Sequence, residues 1–166
     1  MARIPCFCMF ICAQTLCMVF SVQIKYKLLH PNAKPPHRAT PGSAAGDLSA
    51  CLDAPITLNP GQIEVIPTGI AIEIPDPAFA AFAFARSGLA SKFGISLANS
   101  VGVIDSDYRG EVKIAMINHG AQPFTIEHGE RIAQLVIMPV ALCEYVAAQE
   151  LSQTQRGAGG FGSTGK

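Results

Sequence analysis

The stretch that decides the fold reads VGVIDSDYRGEVKIAMIN and covers residues 101–118. A short apolar run leads into a charged segment that begins at Asp105, and a second apolar run leaves that segment at Val112. Apolar runs on both sides of a polar turn are typical of two antiparallel strands. The stretch therefore predicts a β-hairpin with a charged tip, in which residues 112–118 form the returning strand.

The rest of the chain repeats this pattern of short apolar runs. Residues 22–28 alternate apolar and polar side chains, which predicts a strand with one buried face. Many short strands with close turn signals favour an antiparallel sandwich, barrel or jelly roll. One segment, residues 87–93, predicts a short helix that Ser87 caps and that Gly94 ends in the left-handed conformation. Further apolar runs, separated by Pro or Gly, cover residues 63–66, 69–74, 79–84, 124–126 and 132–140.

The composition predicts one domain without a general affinity for polyanions. A chain of 166 residues can bury one core. Twelve Lys and Arg balance twelve Asp and Glu, so any phosphate binding must be local. Four of the six cysteines lie in the first 17 residues, and the other two, Cys51 and Cys143, are expected to be buried thiols. The four histidines are dispersed, which argues against a zinc site.

Residues 1–21 form an apolar extension that we exclude from the fold. No charge falls between Arg3 and Lys25, and the run over residues 4–22 is long enough in principle to span a bilayer. Three polar residues interrupt it, and no clean cleavage site precedes Val22. Translation from an internal methionine, a membrane-associated segment, and a signal or disordered extension all remain open.

The C-terminal residues combine glycines, hydroxyls and an arginine. Residues 149–166 cannot bury enough apolar surface to order themselves, which predicts a mobile arm. Glycines let backbone N–H groups point into one concavity, and Arg156 adds a forked cation, so the arm can bind phosphate. A plain flexible tail has the same composition. Phe161 favours binding, because it has nothing local to pack on but can close over a base.

Two further clusters carry possible chemistry. Asp105 directly follows Val103 and Ile104, which places its carboxylate at the mouth of a pocket, as a general base requires. A turn in which this carboxylate only bonds nearby backbone N–H groups is the alternative. Arg86 and Ser87 stand at the start of the predicted helix, where a guanidinium, a hydroxyl and the helix N-terminus make an anion site. Ser87 as a plain helix cap is the simpler interpretation.

These segments resemble the five ordered motifs of the trimeric dUTPase family. The motifs read AAGDLSA (44–50), ARSGLASKFGI (85–95), NSVGVIDSDYRGE (99–111), GERIAQLVI (129–137) and RGAGGFGSTG (156–165). The resemblance implies an all-β fold, a distorted antiparallel β-barrel or jelly roll with one short helix and a flexible C-terminal arm. It divides the chain into the extension 1–21, a barrel domain 22–148 and the arm 149–166.

The resemblance also implies a cytoplasmic enzyme that uses Mg²⁺ to hydrolyse dUTP to dUMP and pyrophosphate. This reaction keeps uracil out of DNA and supplies dUMP for thymidylate synthesis. The enzyme would be a homotrimer with shared active sites. Each site would take the first, second and fourth motifs from one subunit, the Asp105 segment from a second, and the arm from a third.

The resemblance implies a role for each site residue. Asp105 would deprotonate the attacking water, and Gln134 would lie near that water. Tyr108 would pack on the deoxyribose and leave no room for a 2′-hydroxyl, and Asp47 would contact the magnesium shell through water. The residues around the uracil would be Asn99, Gly102, Val103, Ile104 and Lys113, with Phe161 above the ring. The residues around the phosphates would be Arg86, Ser87, Gly88, Gln134, Arg156, Gly162, Ser163 and Thr164.

One position departs from the family pattern, and two rival functions remain. Ala45 and Gly46 precede Asp47, where the family usually has Gly followed by Tyr or Leu, so this loop can be set differently. A dCTP deaminase shares the barrel, but the Tyr108 segment and the glycine-rich arm favour hydrolysis. A non-catalytic nucleotide-binding protein is the other alternative, and candidates at all five motifs argue against it.

A chain that begins at Met18 tests whether the extension belongs to the enzyme. We expect the shortened protein to be soluble and fully active, because the first predicted strand begins after that residue. Specific activity and thermal unfolding, compared with those of the full-length chain, give the answer. Loss of folding or of activity would show that the extension is part of the enzyme.

Overall fold

Ten strands and one helix make up residues 22–160, the part of the chain that the computed structural model describes. The elements are β1 (Lys25–Leu28), β2 (Gly46–Ser49), β3 (Ile56–Leu58), β4 (Ile63–Glu73), β5 (Phe79–Ala85), α1 (Ser87–Phe93), β6 (Ile95–Leu97), β7 (Val101–Ile104), β8 (Glu111–Asn118), β9 (Phe124–Ile126) and β10 (Arg131–Pro139). The expected all-β fold with one short helix is confirmed.

The strands form two four-stranded antiparallel sheets and a two-stranded ribbon. The first sheet has the order β1-β4-β8-β6, the second β2-β10-β5-β7, and the ribbon pairs β3 with β9. One apolar core joins the two sheets, which gives the jelly-roll-like arrangement. Its fully buried large side chains include Leu48, Leu58, Ile66, Ile70, Ile95, Met116, Ile126 and Ile132.

Strand β5 turns its small side chains inward. In its sequence FAAFAFA, Ala81 and Ala83 are 0% and 1% exposed, whereas Phe82 and Phe84 are only partly buried. Alternate residues of a strand point to opposite faces, so the two phenylalanines lie on the side away from the core. Phe82 and Phe84 are therefore placed on the outside of the second sheet, whereas Phe79 at the start of the strand packs against the core.

The neighbours of these phenylalanines make the outer side of the second sheet apolar. Phe82 pairs with Val103 on β7 and with Val136 on β10, and Phe84 pairs with Val101. Residues paired across strands share a face. We call these five residues the outer apolar face. Val103 is 62% exposed and Val101 37%, so a single chain leaves part of this face in contact with water.

The predicted hairpin at residues 101–118 is wrong in its pairing. β7 pairs with β5 in the second sheet, and β8 pairs with β4 and β6 in the first. The connection 105–110 therefore crosses from one sheet to the other. The two strands form as expected, but their hydrogen-bond partners come from distant segments of the chain.

The first predicted strand is shorter and more exposed than expected. β1 begins at Lys25, and its four residues are all exposed, including Tyr26 at 52% and Leu28 at 43%. The expectation of a buried face is wrong for the residues of β1, an edge strand that pairs only with β4, although Ile24 just before it packs against the core. Tyr26 and the preceding Ile24 instead line an open groove of about 720 Å³.

Two other expectations need correction. The helix spans Ser87–Phe93 and ends at Gly94 with φ of 72° as predicted, but its N-cap residue is Arg86, so Ser87 is not the cap. Of the two cysteines expected to be buried, Cys143 is exposed and Cys51 is only partly buried. Desolvation by burial raises the pKa of the Cys51 thiol, and nearby carboxylates add to the rise.

A buried asparagine ties three connections of the fold together. Asn118 is 0% exposed. Its Nδ2 donates to the carbonyls of Leu58 and Gln122 at 2.8 Å each, and its Oδ1 accepts from the Gly120 N–H at 2.8 Å. The side chain thus satisfies backbone groups at the ends of β3 and β8 and in the loop before β9.

We expect Asn118→Ala to destabilise the protein by about 2–4 kcal/mol, because three buried or partly buried backbone groups lose their partner. The control is Gln122→Ala, since Gln122 contributes only its backbone carbonyl to this network. Urea unfolding of both variants gives the comparison. Equal stability of the two variants would contradict the assigned role.

Candidate active site

Three elements meet at a buried aspartate. Asp47 on β2 is 6% exposed and lies opposite Gln134 on β10. Its Oδ2 accepts from Arg131 Nη1 at 2.9 Å, and its Oδ1 lies 3.3 Å from Arg86 Nε. Gln134 Nε2 donates to the same Oδ1 at 3.4 Å, a long contact. We call Asp47, Arg86, Arg131 and Gln134 the arginine cluster.

The arginine cluster carries more positive than negative charge. One carboxylate faces two guanidinium groups, and it is the only carboxylate among these four residues. Arg86 also donates from Nη1 to the Arg131 carbonyl at 3.0 Å. Its Nε–H is buried but is not aligned for a hydrogen bond with Asp47 or with any other described residue. Unused cationic donors around a neutralised carboxylate make the cluster suitable for an anion.

Sequence reasoning selected three of the four cluster residues and missed Arg131. Arg131 could have been found from its position in the fourth motif, GERIAQLVI, three residues before Gln134. Ser87 and Gly88 form the exposed first turn of α1, directly after Arg86. Apart from its chain neighbours and the backbone of α1, no described residue has an atom within 4 Å of the position that a Cβ on Gly88 would take, so this turn is open to a ligand.

A second group of predicted residues surrounds a cavity of about 260 Å³ at the sheet crossing. Asp105 is an exposed residue at the end of β7, and its carbonyl accepts from the Tyr108 N–H at 3.2 Å. Its carboxylate makes no hydrogen bond or ion pair with residues 22–160. The cavity is lined by Val103, Ile104, Asp105, Tyr108, Glu111, Val112 and Lys113.

Glu111 organises one wall of this cavity. Its carboxylate accepts from the Gly69 N–H at 2.8 Å and lies 3.4 Å from Lys113 Nζ. Its carbonyl accepts from the Tyr108 hydroxyl at 2.9 Å. Glu111 therefore contacts strand β4, the Tyr108 hydroxyl and the Lys113 side chain at the same time.

Asn99 lies in the turn between β6 and β7 and does not line this cavity. Its carbonyl accepts from the Val101 N–H at 2.6 Å, and the intervening Ser100 has φ of 62°. Its Nδ2 lies 3.6 Å from where a Cβ on Gly102 would stand. The glycine therefore lets the amide lie close to the β7 backbone.

The register of the second sheet places the two groups far apart within one chain. Ile104 pairs with Ala81, so Asp105 lies beside the position of Ala80. Arg86 follows six residues later along the same strand direction. At 3.3–3.4 Å per residue, the backbone positions of Asp105 and Arg86 lie about 20 Å apart along the strand.

The arm lies apart from both groups as far as it is described. Residues 141–158 are exposed and form no helix or strand. Arg156 Nε donates to the Gly159 carbonyl at 2.8 Å, a contact within the arm. The remaining candidates, Phe161, Gly162, Ser163 and Thr164, lie outside the described residues, as do residues 1–21.

Neither a cluster of metal-binding side chains nor a membrane-spanning helix is present in the described part of the chain. Residues 22–160 contain no group of three or more His, Cys, Asp or Glu side chains arranged to hold a metal ion. Within the same residues, no helix combines the length and the hydropathy needed to cross a bilayer.

Comparison with known proteins defines the class. The family model for dUTPase matches residues 31–165. The deoxyuridine 5′-triphosphate nucleotidohydrolase of Desulfitobacterium hafniense is 54% identical over 147 residues, which cover 87% of this chain and 97% of that protein. The enzyme of the same name from Ralstonia nicotianae is 50% identical over 149 residues, covering 90% and 99%.

Solved structures agree with the sequence matches. The dUTPase of Staphylococcus bacteriophage 80α with dUPNHPP has a TM-score of 0.79 and 29% identity, over 88% of this chain and all of that one. The chain belongs to the dUTPase family. It is an enzyme, and the reaction it catalyses is the hydrolysis of dUTP.

Proposed function

We propose that the chain cuts dUTP into dUMP and pyrophosphate at a site shared between subunits of a homotrimer, with Asp105 as the base that activates water. The observation that carries this proposal is the separation of Arg86 from Asp105, whose backbone positions lie about 20 Å apart along β5. Bond cleavage needs phosphate-binding cations and a base around the same phosphorus. One copy supplies the cations, and a second copy supplies the base.

The arginine cluster would receive the triphosphate. Asp47 holds Arg86 and Arg131 side by side, and the two guanidinium groups carry one more positive charge than this carboxylate neutralises, which favours a phosphate. Ser87 and Gly88 add a hydroxyl and backbone N–H groups at the open first turn of α1. Gln134 reaches the same place from β10. From the arm, the proposed phosphate contacts are Arg156, Gly162, Ser163 and Thr164.

Magnesium would be held mainly by the substrate. In nucleotide enzymes Mg²⁺ keeps several waters and binds one or two carboxylates together with substrate phosphates. The arginine cluster offers one carboxylate, Asp47, whose oxygens already face two guanidinium groups. This donor set fits contact through water. When bound, the ion would neutralise charge on the triphosphate.

The cavity beside Asp105 would receive the nucleoside. Tyr108 lines it and would exclude a 2′-hydroxyl by packing against the sugar. Lys113 and the backbone near Val103 and Ile104 would surround the uracil. Asn99 and Gly102 would add hydrogen bonds from the neighbouring turn, and Phe161 would cover the ring. The phage 80α dUTPase was solved with dUPNHPP, which supports a nucleotide site in this fold.

Asp105 would act on water rather than on the substrate. Its carboxylate is exposed, lies at the cavity mouth and makes no ion pair with the described residues, so it is available to accept a proton. The water oxygen forms a bond with the α-phosphorus, its proton passes to Asp105, and the bond to the departing pyrophosphate breaks in line. Gln134 would lie close to this water.

Two exposed apolar surfaces support assembly of three copies. The outer apolar face lies on the same sheet as the arginine cluster, and a second copy that covers it would bring its own Asp105 close to that cluster. The segment after β10 exposes Leu142 at 75%, Tyr145 at 93% and Val146 at 78%. Residues this apolar are expected to pack on another subunit. The arm would then close over a neighbour's nucleotide.

The cellular role follows from the reaction. Removal of dUTP would keep uracil out of DNA, and the product dUMP would feed thymidylate synthesis. We infer that the reaction takes place in the cytoplasm. Residues 22–148 would form the barrel domain, and residues 149–166 would form its arm.

The variant Asp105→Asn tests the proposed base. We expect dUTP to bind with nearly unchanged affinity while kcat falls by about 10²-fold or more, because the amide has almost the same shape but cannot accept the proton. The control Asp53→Asn removes a fully exposed carboxylate elsewhere and should retain full activity. A kcat within threefold of the wild-type value for Asp105→Asn would contradict the assignment.

A further inference from the structure

The ring of Tyr108 rests directly on Gly110. A Cβ built on Gly110 would lie 2.6 Å from Tyr108 Cζ and 3.0 Å from Cε2, and would come still closer to the hydroxyl oxygen. Real Cβ atoms do not approach other atoms so closely. The bare α-carbon of Gly110 is therefore the surface on which the ring lies.

Backbone conformation does not explain this glycine. The φ of Gly110 lies outside the left-handed region, unlike those of Gly69, Gly94 and Gly129. An alanine can adopt the backbone angle of residue 110 without strain. The atoms in its way belong to the far end of one exposed side chain, which can rotate into solvent at small cost. A side chain at position 110 would thus move the ring and leave the fold intact.

A second contact holds the same, hydroxyl end of the Tyr108 side chain. The Tyr108 hydroxyl donates to the Glu111 carbonyl at 2.9 Å. Glu111 is itself anchored, because its carboxylate accepts from the Gly69 N–H at 2.8 Å. The position of the ring is therefore set at its hydroxyl end, by Gly110 on one side and by the Glu111 carbonyl.

We propose that Gly110 is a specificity-determining residue, which seats the Tyr108 ring where it excludes a ribose 2′-hydroxyl. This inference rests on the proposed role of Tyr108 as the sugar gate. A side chain at position 110 lifts the ring, and UTP then gains access that the wild-type enzyme denies. The role is one of positioning, since Gly110 acts through Tyr108.

The experiment compares kcat/KM for dUTP and for UTP in the full-length Gly110→Ala, Tyr108→Ala and double variants. We expect Gly110→Ala to lower the dUTP/UTP ratio about tenfold or more, because a displaced ring no longer rejects the hydroxyl. Tyr108→Ala should lower the ratio at least as far. In the Tyr108→Ala background, the added Gly110→Ala should change the ratio by less than about twofold, since no ring remains to move.

The matched control is Gly42→Ala, in an exposed loop where the nearest atom to the new methyl group is Thr40 Oγ1 at 4.0 Å. It should leave both substrates' kcat/KM unchanged. Thermal unfolding should place Gly110→Ala within about 3 °C of the wild-type protein, in line with an exposed substitution.

The results distinguish an error in the role of Gly110 from an error in the role of Tyr108. If Tyr108→Ala lowers the dUTP/UTP ratio and Gly110→Ala does not, Tyr108 excludes the 2′-hydroxyl but Gly110 does not position it. If the effect of Gly110→Ala persists undiminished without the Tyr108 ring, the glycine does not act through it. Failure of Gly110→Ala to fold would also overturn the inference, because the ring would then not yield. If Tyr108→Ala leaves the dUTP/UTP ratio unchanged, Tyr108 does not exclude the 2′-hydroxyl, and the proposed role of Gly110 is wrong as well.

Discussion

The pairing of Asp47 with two arginines is the interaction on which the site depends. Its carboxylate is nearly buried, and Arg86 from the end of β5 and Arg131 from the start of β10 approach its two oxygens. A buried carboxylate requires such partners, because desolvation without them costs several kcal/mol. Asp47 thus keeps the two guanidinium groups close together, and the three side chains carry a net positive charge. Under the proposed function, folding and phosphate binding would use the same three side chains.

The register of β5 supplies the second constraint. Because Ile104 lies opposite Ala81, the strand that delivers Asp105 ends near one end of β5, while Arg86 stands at the other. The backbone positions of Arg86 and Asp105 therefore lie about 20 Å apart along β5, which favours the proposed site shared between two copies. The outer apolar face is the surface that we propose a second copy covers.

The sequence predicted most of the strands but not their partners. β9 matched at both ends and β5, β8 and β10 within one residue, because apolar periodicity and turn residues are local signals. β2, β3 and β6 were missed: GDLS, ITL and ISL are as short as the FTI of β9, and three or four residues are too few for periodicity to decide. The 101–118 hairpin was wrong because strand pairing depends on the packing of the whole core. Arg86 was selected from its place at the start of the predicted helix, and Asp47 and Gln134 from the resemblance to the family motifs. The contacts that bring these residues together with Arg131 depend on the fold.

Complementation between two inactive variants tests the shared site most directly. Asp105→Asn and Arg86→Gln are each expected to be inactive, and co-expression in equal amounts should produce mixed trimers. A site that takes its base from an Arg86→Gln subunit and its arginine cluster from an Asp105→Asn subunit is intact. Random assembly should make about a quarter of the sites whole, so dUTP turnover should return to roughly that fraction of wild type. Mixed trimers with confirmed co-assembly and no activity above the separate variants would show that one chain supplies both groups, and the account would be wrong.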